Sequence, residues 1–256
     1  MRKAMLLLAV TGWASAVWAA GPFDGTWKMD QSKAQMDKKP YVMELQNGTY
    51  QESSSMPKIN VKADSTDQAV QGSRVFDTLA VKVVDSKAVE MTSKKDGKIV
   101  RSGKYTVSAD GKTLNFEGTI YSTNQPATFK ATEVRVAAGP AGSHAISGSW
   151  RVEKVSGPEN TVTYKTSTDG LTMSRPDGGF YDAKFDGKDY PVKGNPDLTT
   201  VSLTKVSDHS FVETSKRDAK IVSVVHWTVS ADGKTITEKL ENKETGRTNT
   251  YIRIKL

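Results

Sequence analysis

Cysteine is absent from all 256 residues. Its absence excludes disulfides, a thiol nucleophile, thiolate metal ligands and a lipid-modified cysteine behind a leader. A folded form therefore depends on its apolar core. Histidine is scarce: His144 lies in a Gly/Pro stretch, and His209 follows Asp208 in a turn signal. His226 has the opposite parity to Ile221, Val225, Trp227 and Val229, which are expected to share an inward face, so His226 should point outward. No convergent acid–base or metal set follows from three such histidines, and neither a metal nor a cofactor is expected. Past the first 20 residues no run is apolar enough to span a membrane as a helix, which takes about 20 residues. One-signed charge is missing too. The 36 Lys+Arg are interspersed with 29 Asp+Glu, for a formal net charge of +7, so nucleic acid is not an expected partner.

What is present begins at the N-terminus, MRKAMLLLAVTGWASAVWAAGPF. Arg2 and Lys3 precede an apolar stretch from Ala4 to Val10, and small residues approach a cut at Ala19 or Ala20. This is the layout of a signal peptide over residues 1–20, which predicts a periplasmic or secreted mature protein of charge about +5 with no transmembrane segment.

The chain then repeats itself. TVSADGKT occurs at Thr106–Thr113 and again at Thr228–Thr235, and TSKKDGKIV (Thr92–Val100) matches TSKRDAKIV (Thr214–Val222) at the same 122-residue offset. Val61–Ser73 aligns with Ala183–Asn195, Phe23–Met29 with Ile146–Val152, and Thr132–Val136 with Tyr251–Lys255. The reading is an internal duplication, with units at 21–136 and 146–256 and a linker at 137–145. Within each unit, apolar residues alternate with Lys, Thr and Ser at strand period, and Asn-Gly or Asp-Gly pairs punctuate the strands. Hairpins leave no room for crossover helices. The expected fold is all-β: two tandem antiparallel up-and-down barrels, each closed to remove its edges. The Gly-Lys-Thr of the octapeptide lacks the earlier glycine and the following helix of a phosphate-binding loop, so it is read as a hairpin turn.

Gly25-Thr26-Trp27 and Gly148-Ser149-Trp150 open the units, and Arg135 and Arg253 lie in their last strands. This combination resembles the lipocalin (calycin) superfamily. The resemblance implies a first-strand tryptophan plugging one barrel end, with a basic residue of the last strand packed across it. Trp27, Arg135, Trp150 and Arg253 would then be structural.

The copies differ where Met91 and Phe116 of the first unit correspond to Glu213 and Glu238 of the second. If the alternation holds, both carboxylates face into one barrel and need solvent, a partner or a ligand. A single bulge reverses the faces and sends both to water, and that outcome is the preferred reading. Glu213 and Glu238 are thus the only candidate catalytic groups. Tyr105, Phe116, Phe211 and Trp227 are candidate ligand contacts inside the barrels, and Tyr190 is a candidate at a barrel mouth. The expected function is an exported protein that binds a small apolar or amphipathic molecule. The alternatives are an isomerase, cyclase or hydrolase using the second unit's carboxylates, and a cell-envelope interaction or inhibitor module.

Overall fold

A computed structural model describes residues 21–54, 57–121, 126–158, 160–195 and 197–256; the expected signal peptide lies outside the described residues. In chain order the first half carries β1 (Gly25–Gln35), β2 (Tyr41–Gln46), β3 (Thr49–Glu52), β4 (Ile59–Lys62), β5 (Gln68–Ala69), β6 (Thr78–Asp85), β7 (Ala88–Lys95), β8 (Lys98–Val107), β9 (Thr113–Ile120) and β10 (Ala127–Ala138). The second half carries β11 (Gly148–Ser156), β12 (Thr161–Thr166), β13 (Gly170–Ser174), β14 (Phe180–Lys184), β15 (Tyr190–Pro191), β16 (Thr200–Ser207), β17 (Ser210–Arg217), β18 (Lys220–Val229), β19 (Thr235–Asn242) and β20 (Arg247–Lys255). They form two nearly closed antiparallel barrels of ten strands, as the alternation and hairpin signals predict.

The barrels do not coincide with the repeats. One has the strand order β4-β3-β2-β11-β10-β9-β8-β7-β6-β5, the other β14-β13-β12-β1-β20-β19-β18-β17-β16-β15. The first strand of each repeat is exchanged: β1 lies between β12 and β20, and β11 lies between β2 and β10. The contiguous stretch 41–156 therefore makes barrel B, while barrel A consists of 161–255 plus the N-terminal strand. The cores follow the exchange. Phe23 and Trp27 pack with Val162, Leu171, Phe211 and Ile236, whereas Ile146 and Trp150 pack with Met43, Tyr50, Val81 and Leu114. Unit boundaries at 136 and 146 thus give the duplication but not the barrels, because sequence similarity records ancestry and carries no pairing information.

Both exchanged tryptophans are buried among the residues of the barrel they enter. Trp150 is fully buried, and its indole N–H donates to Ile146 O at 2.8 Å; Trp27 repeats this with Phe23 O at 2.7 Å. Arg135 lies 3.9 Å from the centre of the Trp150 ring. It spends its donors on three carbonyls, Gly111 at 2.6 Å, Ser147 at 2.7 Å and Ala145 at 2.6 Å. Gly148 makes room for it. Its φ of +142° is a glycine conformation, and a Cβ there would stand 2.7 Å from the Arg135 Nη1.

In barrel A the cation across Trp27 is Lys255, at 5.1 Å, and not Arg253. The registers explain this correction. Trp150 faces Arg135 and Val152 faces Glu133, whereas Trp27 faces Lys255 and Met29 faces Arg253. Arg253 is thus the counterpart of Glu133, two residues from the expected match, and it points into the barrel. A second correction concerns the strand ends. Ile221, expected inward, is exposed, as is its counterpart Ile99, because the β17–β18 and β7–β8 pairings shift register after Ser215 and Ser93. His226 faces outward as expected.

The octapeptide is a turn in both copies. Ser108 Oγ donates to Asp110 at 2.6 Å, Asp110 accepts from Lys112 N at 3.0 Å, and Gly111 takes φ +73°. Ser230, Asp232, Lys234 and Gly233 reproduce these contacts. The Ser108 hydroxyl and the Lys112 amide hold the Asp110 carboxyl below the usual carboxylate range.

The exchange is testable by hydrogen exchange. Trp27→Leu should speed amide exchange in β12 and β20 and leave β2 and β10 unchanged; acceleration in β2 and β10 instead would show that the strands pair in repeat order.

Candidate functional site

A half-open cavity of about 170 Å³ lies at the end of barrel B away from Trp150, lined by residues that include Tyr50, Glu52, Ile59, Phe76, Leu79, Met91, Ser93, Arg101, Gly103, Tyr105 and Phe116. Its wall follows from strand parity. Arg101, Gly103, Tyr105 and Val107 share the inner face of β8, and Phe116 and Gly118 lie opposite on β9. The Phe116 ring folds back over both glycines: a Cβ on Gly103 would be 2.3 Å from its Cζ, and one on Gly118 2.5 Å. Tyr105 packs against Phe116 at 4.5 Å between ring centres, and Phe129 does so at 5.0 Å. The Arg101 guanidinium lies over both phenyl rings, 5.1 Å from Phe116 and 5.0 Å from Phe129.

Two acids are held nearby. Tyr50 donates to Glu52 at 3.2 Å, and Tyr41 donates to Glu133. Burial raises the carboxyl of Glu52, against the pull of Tyr50 and Arg101. Burial likewise lifts Glu133 to about 7, with Glu52 adding to the rise and the Tyr41 hydrogen bond opposing it.

Barrel A fills the same space. At the 122-residue offset Val225 and Leu240 replace Gly103 and Gly118, paired across strands as the glycines are. Trp227 replaces Tyr105 and stacks on Phe211 with 6.0 Å between ring centres. Glu213 and Glu238 are both buried, at 9% and 7% exposure, which corrects the reading that sends them to water. The bulges fall elsewhere, so the alternation holds at both positions. Each carboxylate is engaged. Tyr181 and Ser215 donate to Glu213 at 2.8 and 3.3 Å, and Arg253 Nε donates to Glu238 at 2.9 Å. Arg253 also reaches the Asn160 carbonyl and side-chain oxygens. Burial raises the Glu213 carboxyl above its usual range. Neither glutamate lines the barrel B cavity or the hollow beside Phe211.

The other candidates are placed as follows. Phe211 also borders a hollow of about 780 Å³ at the Trp27 end of barrel A, formed largely by turn residues around Asp24, Thr168 and His209. At the same end of barrel B the connector is tied down. The His144 Nε2–H donates to Asp85 O at 2.6 Å, and its backbone N–H donates to Leu45 O at 2.9 Å. Tyr190 packs half-buried on the barrel A core, donates to Asp186 at 3.1 Å, and lines neither cavity. Of the five candidate contacts, Tyr105 and Phe116 thus meet at the barrel B cavity, while Phe211 and Trp227 stack on each other in the barrel A core. Reasoning from sequence missed Glu52, Met91, Ser93 and Arg101 as wall residues. The signal lay in the repeat alignment, where two glycines stand against valine and leucine. Among the described residues no group of three or more His, Asp or Glu could hold a metal ion. No protein-family model matches the chain, and no match is found among curated proteins or solved structures.

Two outcomes follow. Arg253→Met leaves Glu238 buried without its cation and should cost about 3–5 kcal/mol in urea denaturation, whereas Arg253→Met with Glu238→Leu should recover most of that loss; a small loss in the single variant would show the pair to be solvated. The raised Glu133 carboxyl binds its proton more tightly folded than unfolded, so its contribution to stability is full at acid pH and declines as pH rises from about 4.5 through about 7. Glu52 and Glu213 act in the same direction. Glu133→Gln should flatten part of that decline in melting temperature, and an unchanged slope would count against a buried acid at this position.

Proposed function

We propose that the chain is an exported, lipocalin-like binding protein that holds a small amphipathic molecule in barrel B. The observation that carries this reading is the Gly103–Gly118 pair. It lets Phe116 lie flat against the wall and leaves about 170 Å³ unfilled, where the sister barrel is packed with Val225 and Leu240. Empty volume inside a core forfeits dispersion contacts and costs stability, so one copy departing from a filled design points to an occupant. The wall is mainly apolar, from Ile59, Phe76, Leu79, Met91 and Phe116, with Tyr50, Glu52, Ser93, Arg101 and Tyr105 as a few polar groups. That is the usual make-up of a small-molecule site. A cavity near 150 Å³ suits a benzene-sized body, so the occupant is small, not a long lipid. Barrel A then serves as the partner that lends and receives a strand. Export, to the periplasm or beyond the cell, rests on the signal-peptide layout of residues 1–20.

Methyl-labelled methionine supplies the test, because Met91 lines the cavity while Met173 sits in barrel A. Titration with compounds of about six to twelve non-hydrogen atoms, a range set by the benzene-sized cavity, should shift the Met91 methyl signal for a subset and leave Met173 still. Ser93→Phe should abolish the shift by filling the space. Shifts that persist in Ser93→Phe, or none with any compound, would overturn the reading.

A further inference from the structure

We infer that the occupant is a small carboxylic acid with an aryl or compact branched body, its carboxylate received by Arg101; this rests on the cavity being the ligand site. The guanidinium is held from one side only. Phe116 and Phe129 offer their ring faces at 5.1 and 5.0 Å, which fixes the position of the group without using its N–H donors. Arg135, by contrast, directs three donors at backbone carbonyls, and Arg253 directs its donors at Glu238 and Asn160. Among the described residues no ion pair or hydrogen bond is formed by the Arg101 side chain, although it borders the cavity. A planar fork of donors, stacked in place on two rings, matches a carboxylate, which accepts two parallel hydrogen bonds.

The sister barrel supports the assignment. Arg101 corresponds to Ser223, so the copy whose glycine pair opens the cavity is also the copy with a cation at this position. Ligand charge is discriminated in a simple way. An amine would bring its positive charge beside Arg101, and a neutral molecule would cover the guanidinium without pairing it, each of which is unfavourable. Glu52, the acid bordering the cavity, already accepts from Tyr50, and burial favours its neutral form, which softens its repulsion of an incoming carboxylate. Beyond the cation, the rings of Phe116 and Phe76 with Ile59, Leu79 and Met91 leave room for a body about the size of one benzene ring.

Three probes of the same shape separate the possibilities: benzoate, benzyl alcohol and benzylamine, each titrated against the full chain while the Met91 methyl signal is followed. Benzoate should bind at least tenfold more tightly than benzyl alcohol, and benzylamine should not bind. Arg101→Gln, a substitution at an exposed rim position, should reduce benzoate to the level of benzyl alcohol while the Met91 shift with benzyl alcohol persists, which shows the cavity intact. Equal binding of benzoate and benzyl alcohol, or unchanged benzoate affinity in Arg101→Gln, would overturn the acid while leaving the cavity as a binding site. If none of the three moves the Met91 signal, while compounds without a carboxylate do, the acid assignment alone falls. If nothing moves it, the cavity reading falls and takes this inference with it.

Discussion

Each barrel is plugged by a tryptophan that belongs to the other repeat. Trp150 is buried under the Arg135 guanidinium and hydrogen-bonded to Ile146 O, and it reaches that position only because β11 inserts between β10 and β2. Trp27 does the same for barrel A between β20 and β12. Sheet closure, core composition and the fixed position of the last strands all depend on this exchange. Each core cluster combines residues of one repeat with the exchanged pair from the other, Phe23 and Trp27 in barrel A and Ile146 and Trp150 in barrel B. Neither repeat holds a complete barrel within its own boundaries.

Within that shared frame the two interiors have diverged in chemistry. Where barrel A has Val225, Leu240 and Trp227, barrel B has Gly103, Gly118 and Tyr105, and the loss of bulk becomes space. The position next to the plug carries Arg253 in one barrel and Glu133 in the other, so each interior builds its polar contacts around opposite charge: Arg253 with Glu238, and Glu133 with Tyr41. Barrel A thereby pairs its two buried carboxylates internally, although the Trp227 Nε1 and Arg175 Nε groups are buried without a hydrogen-bond partner. Barrel B keeps its cavity and an arginine whose donors stay uncommitted.

The class of fold was legible in the sequence because strand period and Asp-Gly turns are local signals, and local signals survive translation into structure. The inward parity of Trp227 and the outward parity of His226 hold for the same reason. Pairing across the duplication was not legible: TVSADGKT and its neighbours say that two units are alike, and nothing in a likeness says whose β1 sits where. The last-strand alignment of Thr132–Val136 with Tyr251–Lys255 failed by one residue, and the equation of Arg135 with Arg253 by two, because the pairing of Trp150 and Trp27 puts Arg135 with Lys255. The burial of Glu213 and Glu238 was readable from alternation, and doubt about bulges misdirected it. The cavity needed the register first, since a glycine pair matters only once the two residues are known to face one another.

The pairing of β1 with β20 also orders events in time. Residues 41–156 can close barrel B as soon as β11 is available, with all of its strands contiguous in the chain. Barrel A must wait, because Trp27 finds its neighbour Lys255 only when the final residues are present. Throughout that interval the N-terminal strand has no partner in the half of the chain that follows it, and closing so long a loop is the slow, entropically costly step of assembly. The barrel with the open interior is therefore the one that can form first, and the packed barrel is the one that joins the two ends of the chain.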